Sequence, residues 1–288
     1  MQAIGAPGCL RPAPPHNPAV LPDADPAHLL DAFLAAHAQG GVATVLYARG
    51  EELHRRLAND PPGLPAWGRF LVAMGELAAE RFDDPTTASR YFLAALQGVD
   101  RHGDHEAAVT AGYDQGVLAE RLGRAPQARA AYRAAANEGF RVGCLTANTV
   151  RSAAAAVRLH FAEYGDLREV AALAKRAWLG WLWLRMNNPT AIDAELEREL
   201  GQQLAALLLP EDDPALLAAA WRAWLPGALA LPDGSRWTDD DPRCLDALFA
   251  VAAEAADRHL SDEGPEPGAP YRLLHRLLRS ALSRDLGA

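Results

Sequence analysis

The stretch that most restricts how this chain can fold is residues 116–139, GVLAERLGRAPQARAAYRAAANEG. An apolar-periodic run ends at Leu122-Gly123-Arg124, and an alanine-rich run follows. Glycine supplies the backbone conformation a tight helix–helix turn needs, so the stretch reads as a helical hairpin. Small and aromatic residues recur around it at one spacing. Gly75 precedes Gly116 by 41 residues, and Ala88, Phe92 and Ala95 precede Ala128, Tyr132 and Ala135 by 40. Downstream, Gly165 follows Gly123 by 42. A period of about 40 is that of a helical array, in which each pair leaves apolar surface for the next to cover. Gly or Ala lets the helices of a pair approach closely, and the aromatic one turn before the last Ala is read as a wedge between adjacent pairs. The first unit carries one extra residue in its turn.

Composition agrees. Ala and Leu dominate, β-branched residues are sparse, and no segment alternates convincingly with period two, so the chain is expected to be all-α. Helices start by a recurring device: Asp25-Pro26, Asp84-Pro85, Asn188-Pro189, Asp213-Pro214 and Asp241-Pro242 each precede an apolar-periodic segment. Asp or Asn accepts the free amides, and proline at the first helical position gives up a donor that had no partner. The same device accounts for the acid clusters at Asp212-Asp213 and Asp239-Asp240-Asp241, which otherwise read as a metal or diphosphate site.

The expected organisation is a proline-rich flexible tail over residues 1–22, an N-terminal helical hairpin over 23–62, repeats over 63–190 and a C-terminal helical region over 191–288. The first hairpin is read as helices over 26–39 and 42–58, split by Gly40-Gly41. C-terminal helices are expected over 189–209, 214–225, 242–260 and 270–286, with a long loop over 226–241 turning at Pro232-Asp233-Gly234. The last helix has a Leu273, Leu274, Leu277, Leu278, Leu282 stripe and basic residues Arg272, Arg276, Arg279 and Arg284, read as a cap on the core.

The repeated positions resemble the tetratricopeptide repeat family over about residues 66–180. The middle unit carries the likeness through Gly116, Gly123, Ala128, Tyr132 and Ala135, with Gly112 where the family has its opening Trp and no closing Pro. Its ending, AAANEG, is also similar to the related Sel1-type repeats. The resemblance implies a right-handed superhelical stack of antiparallel hairpins, an α-solenoid, with extra C-terminal helices. It also implies that the first helix of each pair lines a concave groove. Carried over, the inward positions are Arg69, Val72, Glu76 and Glu80, then Tyr113, Val117, Glu120 and Arg121, then Leu159 and Glu163. The Lys/Asn/Arg clamp of members that hold a C-terminal carboxylate is missing. A protein or peptide partner with apolar and basic side chains fits the positions, which also read as plain solvated helix faces.

Chemical motifs are sparse. There is no HExxH, GxSxG, Walker-type or GxGxxG sequence, so no catalytic residue is assigned. His102, Asp104, His105 and Glu106 have metal-ligand character, but no further His or Cys clusters near them and a hydrated inter-repeat loop is favoured, with no metal and no cofactor expected. Cys9, Cys144 and Cys244 lie far apart and are read as structural thiols of a reducing compartment. Trp178, Trp181 and Trp183 spread round one helix, which reads either as a fully packed central helix or as an aromatic pocket. Trp221 and Trp224 are expected to pack back on it.

A net charge of −9 disfavours nucleic acid as a partner. No apolar run approaches the ~20 residues of a membrane span, and the N-terminus lacks the pattern of a signal peptide. The expected protein is thus a cytoplasmic, non-catalytic interaction scaffold, with self-association possible. An all-helical ligand sensor using the tryptophan pocket and a metal-dependent all-α enzyme are the alternatives.

Overall fold

The computed structural model describes residues 25–164, 168–196, 200, 227–238, 241–244 and 247. The expectations for the proline-rich tail with Cys9, Gly165, most of the helix over 189–209, Asp212-Asp213, the helices over 214–225 and 270–286, most of that over 242–260, Trp221 and Trp224, and Asp239-Asp240 lie outside these residues. Helix accounts for nearly all of the described chain: α1 (Pro26–Ala38), α2 (Ala43–Leu57), α3 (Pro65–Glu76), α4 (Pro85–Gln97), α5 (Val99–His102), α6 (His105–Arg121), α7 (Ala125–Val142), α8 (Ala147–Tyr164) and α9 (Ala171–Asn187).

The capping device works where it was expected first. Asp25 accepts the Ala27 N–H at 3.2 Å and Asp84 the Thr87 N–H at 3.0 Å. Asn188-Pro189 opens only a short 3₁₀ turn, and no side chain caps it. Asp104, which has no proline after it, caps α6 by accepting the Ala107 N–H at 2.9 Å. Gly103, Gly123 and Gly143 close α5, the α6–α7 turn and α7 with positive φ.

The recurring glycine and aromatic positions have one geometry in two units. A Cβ on Gly116 would stand 2.4 Å from the Tyr132 ring, and a Cβ on Gly75 would stand 2.4 Å from the Phe92 ring. Each ring therefore fills a notch in the partner helix of its own pair. A Cβ on Gly112 would meet Ala135 at 2.8 Å, so 112 faces 135 while 116 faces 132, and the two helices run antiparallel. The residue inserted in the first unit is absorbed locally. Leu77–Arg81 continue α3 as a π-helical turn, and Asp83 follows with φ 49°.

Each helix packs on the next, from α3 through α4, α6, α7 and α8 to α9. In addition α3 packs on α6 and α6 on α8. Two apolar cores result. One gathers Leu30, Phe33, Phe70, Met74, Tyr91 and Phe92; the other gathers Tyr132, Phe140, Trp178, Trp181 and Leu182. Helix α6 stands between them, giving Ala111 and Leu118 to the first and Ala119 to the second.

The region read as a loop over 226–241 contains a β-hairpin, a departure from the all-α expectation. Strand β1 (Ala228–Ala230) pairs antiparallel with β2 (Arg236–Thr238) in the register Leu229↔Trp237. Asp233 holds the turn by accepting the Ser235 N–H at 2.9 Å, and Gly234 takes φ 79°. Leu229 and Trp237 share one face and are each 1% exposed, inserted into the second core. Three-residue strands are too short to show a period, which is why the alternation escaped the sequence reading.

Candidate functional site

The expected groove positions fall on the α3–α6–α8 row, in two patches and several internal ties. The acidic patch joins Glu76 at the end of α3, Glu80 in the π-helical turn and Asp114 on α6. Burial, then Glu76 and Glu80, push the Asp114 carboxyl up to about 7. Burial and Glu80 push Glu76 up as well. Glu76 and Glu80 also line a cleft of about 440 Å³ together with His37, Gly40, Gly41 and Arg81. His37 Nε2 lies 4.0 Å from Glu76. The cleft lies between the π-helical turn and the α1–α2 connection.

The apolar patch joins Tyr113, Val117 and Leu159, all half-buried against the second core. Tyr113 and Tyr132 have ring centroids 5.8 Å apart, and burial raises the Tyr113 hydroxyl above its ordinary value. Tyr113 adjoins Asp114 in sequence, so acidic and apolar patches meet on α6.

Other groove positions are spent within the fold. Glu120 accepts from Tyr132 Oη at 2.8 Å and from Arg158 Nη2 at 2.9 and 3.0 Å, tying α6, α7 and α8 together. Glu163 pairs with Arg129 of α7. Arg69 pairs with Asp104 at 3.4 Å and Arg121 with Asp83 at 3.8 Å. Val72 is buried. Of the expected set, then, only Val72 lacks a surface; Arg69, Arg121 and Glu163 stay exposed within their ion pairs, and Glu76, Glu80, Tyr113, Val117 and Leu159 make up the two patches. Asp114 and His37 belong beside them and were missed. Asp114 precedes Val117 by one turn, a signal available in the sequence. The approach of His37 is a long-range contact and left none.

The tract around His102 is structural. His102 is 2% exposed, sits in the notch of Gly68, where a Cβ would be 2.7 Å from its ring, and uses both ring nitrogens. Nε2 lies 2.8 Å from the Ala95 carbonyl, and Nδ1 accepts the Asp104 N–H at 3.0 Å. His105 Nδ1 lies 2.7 Å from Glu138. Among the described residues, no group of three or more His, Cys, Asp or Glu side chains is placed to hold a metal ion. His102→Ala leaves the Ala95 carbonyl and Asp104 amide without a partner, and is expected to cost about 1–3 kcal/mol in urea unfolding. The Cys144 thiol is pushed up to about 11 by burial and by Glu106, Asp104 and Glu138, so it is held as the neutral thiol.

Trp178 and Trp181 are 1% and 0% exposed inside the second core, and Trp183 is half-buried beside it. Their burial matches the packed-helix reading of α9. No helix among the described residues is long and apolar enough to cross a membrane.

No protein-family model matches this chain, and no curated protein matches it. Among solved structures it is similar to BtubC (BKLC) from P. vanneervenii, at 15% identity and a TM-score of 0.44, over 85% of this chain and 86% of that one. A likeness that loose carries no argument about fold or function.

Proposed function

We propose that this chain is a non-catalytic interaction scaffold, a short tetratricopeptide-like solenoid whose α3–α6–α8 face takes a protein or peptide segment bearing basic and apolar side chains. Two observations support the solenoid. The glycine–aromatic notch recurs at about 40 residues, and the first helices of successive pairs pack on one another, as inner helices of a curved stack do. The observation that carries the binding role is the carboxylate crowding at Glu76, Glu80 and Asp114, beside the apolar strip of Tyr113, Val117 and Leu159. Carboxylates held this close repel one another, and a lysine or arginine placed among them removes that repulsion.

The pH dependence follows. Asp114 is protonated below about 7 in the free chain and ionised above it. A bound cation favours the ionised form, so binding releases a proton and strengthens as pH rises through about 7. The sign for stability is opposite. The raised value makes the fold more stable with Asp114 protonated, and this contribution is lost as pH rises from the ordinary aspartate range through about 7.

The test is affinity capture on the full chain, followed by titration of the captured partner at pH 6 and pH 8. Glu76→Lys with Glu80→Lys is expected to abolish recovery, and wild-type affinity is expected to be higher at pH 8. Glu120 is unsuited to the test, because its loss would unpair Arg158 and Tyr132. Undiminished recovery by the double variant, with an unchanged melting curve, removes the proposal.

A further inference from the structure

The chain has 27 arginines and a single lysine, Lys175. A surface lysine is the most replaceable of residues, yet this one, the fifth residue of α9, is 1% exposed. It borders a cleft of about 650 Å³ between the end of α7, the start of α9 and the β-hairpin. Arg141, Arg176 and Arg236 border the same cleft, and Phe140 gives it an apolar wall. Arg176 and Arg236 thus open onto one cleft in a protein whose net charge is −9, where Arg141 is already paired with Glu138 and Lys175 has an interaction of its own.

The hairpin builds this cleft. Leu229 and Trp237 turn into the core, so their neighbours Ala228, Ala230 and Arg236 turn the other way and line it. Gly227 brings the strand down onto α9, since a Cβ there would meet Leu179 at 2.5 Å and the Lys175 stem at 3.1 Å. On the other side, Gly143 lies against the Leu231 carbonyl carbon, where a Cβ would come to 2.6 Å.

The local carboxylates are partly committed. Glu138 forks onto Arg141 at 2.7 and 3.1 Å and also meets His105. Asp233 is held by Ser235. Arg176 and Arg236 form no ion pair with any described residue. Like charges gathered in a concave site repel unless an anion joins them. Guanidinium forks suit phosphate oxygens. The volume falls within the ~300–1,000 Å³ of small-molecule sites.

We propose that this cleft binds a small phosphate-bearing anion, with Arg176 and Arg236 as the principal ligands and Lys175 at its inner wall. The site is separate from the α3–α6–α8 face, and either can fail without the other.

Inorganic pyrophosphate titrated calorimetrically into the full chain is the direct test. Saturable one-to-one binding is expected, weakening as salt is raised. Arg176→Ala and Arg236→Ala are each expected to weaken it about tenfold or more. Arg243→Ala, which lies outside the cleft, is expected to leave it unchanged. Both lining arginines have solvent access, so the melting curves of these variants should match the wild type. No saturable binding at millimolar pyrophosphate would overturn the proposal. So would equal binding by the Arg176→Ala, Arg236→Ala double variant, or saturable binding of an acidic peptide in place of pyrophosphate.

Discussion

Replacing Tyr132 by alanine is expected to destabilise the chain by about 3–5 kcal/mol in urea unfolding. Tyr132 is 2% exposed, and its ring occupies the notch left by Gly116 at the middle of the α6–α7 pair. Removing it opens a cavity between rigid backbones that cannot collapse onto one another, and it leaves Glu120 with Arg158 alone. Tyr132→Phe keeps the ring and removes only the 2.8 Å bond to Glu120, so it should cost about 1 kcal/mol. A double-mutant cycle identifies the notch itself. Gly116→Val alone forces a side chain into the ring, 2.4 Å from where a Cβ would stand, and overpacking of this kind costs about 1–3 kcal/mol. In the Tyr132→Ala background the valine enters vacated space, so the two losses should fall short of additive. Strict additivity would mean that glycine and ring do not share the notch.

Gly143→Ala is the second large effect. Gly143 ends α7 at φ 73°, a conformation that costs an L-residue roughly 1–2 kcal/mol. Its Cβ would also stand 2.6 Å from backbone atoms of Leu231, which cannot rotate away. The hairpin must then lift, and a total of about 2–4 kcal/mol is expected. Gly123→Ala is the control. It has φ 67° with nothing within 4 Å of its Cβ, so it isolates the backbone cost. The excess of Gly143→Ala over Gly123→Ala measures the seating of the hairpin. A red shift of tryptophan emission should accompany it, because Trp237 is 1% exposed only while Leu229 and Trp237 stay inserted. Equal losses at the two glycines would show that the hairpin rests elsewhere.

The helix pairs were legible because their causes are local. Asp25 and Asp84 cap the amides two or three residues on, and Gly123 turns the chain where it stands. The recurrence of Gly75, Phe92, Gly116 and Tyr132 was legible as a spacing, but the rings, read as wedges between adjacent pairs, instead fill the glycine notch of their own pair. The single inserted residue showed as a change of spacing, although its outcome, a π-helical turn carrying Glu80, did not. His102 shows the limit of local reading. Beside Asp104 and His105 it has the composition of a metal-binding loop, and only the approach of Gly68 from α3 makes it a buried strut.

Sequence alone therefore determined the helical class and the pairing of neighbouring helices, both of which depend on residues within one hairpin. Tertiary structure decided which groove residues remain on offer. Glu120 is consumed by Arg158 from 38 residues away, while Asp114 is perturbed by carboxylates that α3 and the π-helical turn bring to it. It also decided that Lys175 borders a basic cleft, which exists only once the hairpin is seated against α7 and α9. Charge and burial act through space, so residues remote in the chain set them, and no pattern along the sequence carries that information.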